Sequence, residues 1–163
     1  MIMKELIKKI QKEWQKAKQE AQMMCASSGN VELAQKLADC TMFKGTEDLE
    51  QLIKLMFTPQ GIEFLTRFNF PDLATFRKFK KYHPERYGVY IDCGRISLIE
   101  QRKVFLVGDT SAALSYKETA ASRVYLMHGA SATIIAGGYS VIKIEHDASS
   151  NVSILKQDNA VVR

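Results

Sequence analysis

The most charged passage of the chain is Arg77-Lys78-Phe79-Lys80-Lys81-Tyr82-His83-Pro84-Glu85-Arg86-Tyr87. Cations interleaved with aromatic rings suit a nucleic-acid strand, with phosphates on the cations and bases stacked on the rings. Arg77, Lys78, Lys80, Lys81, Tyr82 and Arg86 are therefore the candidate nucleic-acid-binding residues. The same run also fits a solvated helix end: Lys80 and Lys81 complement the C-terminal dipole, while Phe76 and Phe79 turn to the core.

The other groups able to do chemistry are sparse. His83 precedes Pro84, His128 precedes Gly129, and His146 precedes Asp147, all in turn-like contexts. His146-Asp147 with Asp109 or Glu118 is the best available metal set, yet no H-x-H, H-x-x-x-H or H-E-x-x-H spacing supports it. Gly108-Asp109-Thr110-Ser111 lacks a nucleophile elbow, and Gly137-Gly138 reads as a turn, not a phosphate cradle. Cys25, Cys40 and Cys93 form neither a C-x-x-C pair nor an even-numbered disulfide framework. The sequence thus predicts no catalytic residue, no metal site and no cofactor, and a protein that is not an enzyme.

These residues must be positioned by two kinds of structure. Met3, Ile7, Ile10, Trp14, Ala17, Ala21 and Met24 make a heptad stripe, which predicts a helix over residues 1–24. Asn30 is placed to cap a helix over 31–40, Thr46 a third helix, and Thr58-Pro59 a fourth. Asp72 to about Lys80 gives a short fifth helix bearing Leu73, Phe76 and Phe79. Together they form a small helical bundle.

From Val104 onward the chain resembles itself at a shift of 28 residues. Short apolar-x-apolar pieces begin at 104, 114, 124, 132, 142, 152 and 161, separated by Gly, Asp, Ser and Asn. Such self-similarity marks a stacked solenoid. Three pieces per repeat predict a short β-helix of about three strands per turn, with Val89–Ile91 and Ile96–Ile99 as an irregular first rung. The fold class is α+β, with a helical domain over 1–83 and a β-solenoid over 84–163.

Strand alternation assigns Val104, Leu106, Leu114, Tyr116, Val124, Leu126, Ala132, Ile134, Ile142, Ile144, Val152 and Ile154 to the interior. Ser115, Lys117, Lys143 and Glu145 then make one solvated arm. Phe105, Val107, Tyr125, Met127, Ile135 and Leu155 point outward, so the helical half or a second copy should cover them, and they are the candidate interface residues. The last rung, Val161-Val162-Arg163, has no polar cap, which predicts a homo-oligomer.

Composition sets the class. The chain has 163 residues, 46% hydrophobic and 25% charged, with a net charge of +5. That is the balance of a globular protein, and no apolar run approaches a membrane span. Lys4, Glu5, Lys8 and Lys9 stand where a signal peptide needs an apolar core, so a cytoplasmic location is expected. Residues 1–88 hold 15 basic and 11 acidic side chains, against 8 and 7 in 89–163. By this measure the excess positive charge belongs to the first half.

Phe57-Thr58-Pro59-Gln60-Gly61-Ile62-Glu63-Phe64, followed by His83-Pro84-Glu85-Arg86-Tyr87-Gly88-Val89-Tyr90-Ile91-Asp92, resembles proteins carried on prophages and other mobile elements of gut anaerobes. The resemblance spans most of the chain and implies a phage or mobile-element setting. It implies no activity.

Overall fold

Amphipathic helices account for the first part of the chain. In the computed structural model, which describes residues 1–38 and 42–163, α1 spans Met3–Ser27, α2 Val31–Ala38, α3 Leu49–Met56, α4 Pro59–Phe68 and α5 Leu73–Lys78. Cys40 lies outside the described residues. The chain divides into two compact units, Met1–Pro71 and Asp72–Arg163. Helix α5 and the two 3-10 turns after it, Lys80–Tyr82 and Pro84–Tyr87, thus belong with the strands.

In the helical unit the α1 stripe is buried through Ile7, Ile10, Trp14, Ala17 and Ala21, with Leu6 joining it, while Met24 at its end is exposed. The Trp14 ring meets Phe43 edge-on with centroids 5.6 Å apart. Asn30 accepts from the Leu33 amide, and the Thr58 hydroxyl accepts from the Gly61 amide with Pro59 as first helical residue. The cap of α3 is Asp48, not Thr46. Asp48 and Gln51 bond each other's amides reciprocally, while Glu47 turns back to the amides of Lys44 and Gly45.

The second unit is a β-solenoid. Its strands are β1 Val89–Ile91, β2 Gly94–Ile99, β3 Lys103–Val107, β4 Thr110–Tyr116, β5 Ala121–Met127, β6 Ser131–Ala136, β7 Val141–His146, β8 Asn151–Lys156 and β9 Val161–Val162. Every pairing is parallel. Odd-numbered strands form sheet A in the order β1-β3-β5-β7-β9, and even-numbered strands form sheet B in the order β2-β4-β6-β8. Each coil therefore has two strands, not three. The register confirms it: Val104 pairs with Val124, Ser111 with Ser131 and Val141 with Val161, a repeat of 20 residues instead of 28. The first coil is shorter, with Val89 opposite Phe105 and Gly94 opposite Thr110, a step of 16.

Stacking at this period fills the interior with columns of like side chains. Leu98, Leu114, Ile134 and Ile154 stack in one column, and Val104, Val124 and Ile144 in another. The inward assignments made from alternation hold across the central coils, where Val104, Leu106, Leu114, Tyr116, Val124, Leu126, Ile134 and Ile142 are at most 1% exposed. Each such side chain contributes roughly 1.5–3 kcal/mol of burial. Toward β8 the cover thins: Val152 is half-buried and Ile154 is 48% exposed.

Candidate functional site

The corners of the solenoid are built from residues that tolerate a left-handed backbone. Asp92, Gly108 and His128 take positive φ at one corner, and Glu100, Gly138 and Asp158 at the other. Carboxylates then tie each corner to the next coil. Asp92 Oδ1 accepts from the Asp109 amide (2.8 Å), and Asp147 Oδ2 from the His128 amide (2.8 Å). Across the sandwich, Asp158 Oδ2 accepts from the Gly138 amide (3.0 Å) and Glu100 from the amides of Lys117 and Glu118. Turn amides without a strand partner are satisfied this way. Sequence reasoning had not singled out Asp92, Glu100 or Asp158, although a 20-residue alignment sets turn carboxylates against turn amides.

Asp147 is the most enclosed of these groups. Burial pushes its carboxyl up, but the His128 amide and the Ser150 and Ser149 hydroxyls outweigh that and hold it below its ordinary value of 3.8. A carboxylate held low stabilises the fold above its unfolded pKa and loses that contribution as pH falls through the folded one. Wild-type stability is therefore expected to fall with acid below about pH 4, and Asp147→Asn should flatten that part of the profile. Thermal melts from pH 3 to pH 7 test this. Parallel profiles for the two proteins would refute it.

Asp147 also decides the chemistry of its corner. Both serine hydroxyls donate to it (2.8 Å each), and His146 turns Nδ1 to the Asp147 carbonyl (2.7 Å). Those bonds brace a turn. The His128 ring lies edge-on to Phe76, with centroids 5.6 Å apart. In the true register His128 stands opposite Gly108, one place beyond the Val107–Met127 pair, so the position does not demand an imidazole. No group of three His, Cys, Asp or Glu able to hold a metal occurs among the described residues.

The basic run is largely engaged by its own unit. Arg77 Nε donates to Asp92 Oδ2 (2.6 Å), and that hydrogen bond is the main reason Asp92 lies below the usual carboxylate range. Lys80 reaches the Asp92 carbonyl (3.4 Å), and Arg86 reaches the carbonyls of His83 and Tyr82 (3.3 and 3.2 Å). Lys81 lies over the Tyr82 ring, 5.1 Å from its centroid. Lys78 and Lys81 are exposed, and Tyr82 is half-buried.

The candidate interface residues separate by sheet. Phe105, Val107, Tyr125 and Met127, on the outer side of sheet A, are at most 1% exposed. Phe76 of α5 packs on Phe105, with centroids 6.1 Å apart, and Phe105 on Tyr125 at 5.9 Å. These four are core and offer no free surface. Ile135 and Leu155 lie on sheet B and are exposed (37% and 53%). They align with Ile99 (79% exposed) and Ser115 in one outward column. Beside it run Ser97, Ala113, Thr133 and Ser153. A shallow groove of about 300 Å3 lies there, lined by Arg95, Ser97, Ser111, Ala113 and Thr133 among others. A second groove, about 210 Å3 in the helical unit, is lined by Met24, Leu33, Phe64, Phe68 and Arg67 among others.

No protein family, no curated protein and no solved structure matches this chain. Its fold is nonetheless plain from its own geometry: a β-solenoid of about four turns joined to a helical unit. No helix among the described residues is long and apolar enough to cross a membrane.

Proposed function

We propose that the protein is a non-enzymatic interaction module that associates with further copies of itself through the outer face of sheet B. One observation carries this reading. Parallel sheets are ordinarily covered on both faces. The outer aromatic positions of sheet A are buried, whereas sheet B leaves Ile99, Ile135 and Leu155 open beside a row of Ser, Ala and Thr. A rigid strand face with exposed aliphatic side chains fits protein contact.

Light scattering tests the proposal. The wild-type chain should give a mass above the 18.5 kDa of one copy, and Ile135→Lys with Leu155→Lys should return it to one copy. A single-copy mass for the wild type at all concentrations would falsify it.

The alternative is a nucleic-acid-binding accessory protein using residues 77–87, and the exposed Lys78 and Lys81 support it. Against it, Arg77, Lys80 and Arg86 already serve Asp92 and main-chain carbonyls. A phage or mobile-element setting, implied by the resemblance of the segments 57–64 and 83–92, belongs to the same proposal. It agrees with a structural or accessory role.

A further inference from the structure

The 20-residue register brings four cations into line on the outer side of sheet A. Lys103 pairs with Arg123, and Arg123 with Lys143. Arg163 stands opposite Lys143, since its amide donates to the Ile142 carbonyl and its carbonyl accepts from the Ile144 amide (2.9 Å each). All four residues are exposed. Neighbouring strands lie about 4.8 Å apart, so the column spans about 14 Å, with a positive charge at each step.

Like charges directly opposite one another weaken a sheet. Nothing in the packing requires them: the equivalent outward column at the start of sheet B is Arg95, Ser111, Ser131 and Asn151. The acidic groups nearby offset the column only in part. Glu145 pairs with Lys143 at 2.8 Å, with Glu145 half-buried and Lys143 about half exposed, and Glu118 and Glu100 are directed to Arg102. Arg123 bonds Tyr125.

We propose that this column binds the phosphate backbone of a single-stranded nucleic acid laid across the strands of sheet A. A straight row of cations at regular steps calls for a linear partner charged at every repeat, and a phosphodiester chain meets that requirement whatever its sequence. The guanidinium forks of Arg123 and Arg163 suit phosphate oxygens. Tyr139, 65% exposed on the turn leading into β7, lies in the same coil as Lys143 and offers a ring on which a base can stack. The column uses neither the sheet B face nor Lys78 and Lys81, so substitutions can test it independently of them.

The experiment is fluorescence anisotropy of a labelled oligothymidine titrated with the full chain across a range of salt. Four phosphate contacts predict a log–log salt slope of about −3. Lys103→Thr with Lys143→Thr should halve that slope and weaken binding at least tenfold, while Lys78→Ala with Lys81→Ala should leave both unchanged. The threonine variant should also keep or gain thermal stability, because it relieves repulsion. Absence of binding at low salt, equal binding by the threonine variant, or a loss of its stability would each overturn the proposal. So would displacement of the oligonucleotide by polyglutamate at equal charge, which would mark an acidic protein as the partner, or tighter binding to anionic vesicles.

Discussion

Ile134→Ala is expected to lower the free energy of unfolding by about 2–5 kcal/mol, while Thr133→Ala, one residue away, should change it by no more than about 0.5 kcal/mol. Ile134 is wholly buried between Leu114 and Ile154 in the central column of sheet B. Its replacement removes three carbons from a site whose neighbours are fixed by main-chain bonds on both sides, so the cavity cannot close. Thr133 points out to solvent. Urea unfolding of the two variants measures the contrast, and comparable losses at both positions would mean that the inside and outside of the coil are wrongly assigned.

Gly138→Ala should destabilise by about 3 kcal/mol, from a left-handed backbone cost of about 1–2 kcal/mol and an overpacking cost of about 1–3 kcal/mol. Gly138 has φ 56, and a Cβ there would press on the Lys117 carbonyl of the adjacent coil. Gly129 provides the control. It has φ 85 but open space around the Cβ position, so Gly129→Ala should cost only the backbone part. Equal melting temperatures for the two alanine variants would show that the coils are not packed this closely at the corner.

Alternation of apolar residues was legible in the sequence, and with it the solenoid and its interior. The period was not. Apolar pieces begin at 104, 114 and 124, but β6 carries three inward residues, Ala132, Ile134 and Ala136. Matching the next piece to Ala132 inserts a step of eight residues, and three arms then seem to make 28. Aligned on Ile134 the steps stay at ten, and two arms make 20. The outward columns depend most on the period. Under a shift of 28, Lys103 falls on Ser131 and Arg123 on Asn151, so the cationic column disperses. Neither could sequence show that Arg77 and Arg86 would be occupied, since their partners depend on how α5 and the 3-10 turns fold against the first coil.

A coil touches only those above and below it, so the strands behave as a linear array and not as a single cooperative block. Amide exchange should therefore be graded: slowest near Val124 and Ile134, where both neighbours are present, and fastest from Asn151 onward. Lengthening such an array by one 20-residue unit would add a rung to both sheets without disturbing the others. The length of the array along its stacking axis is thus set by how many times the 20-residue unit is repeated.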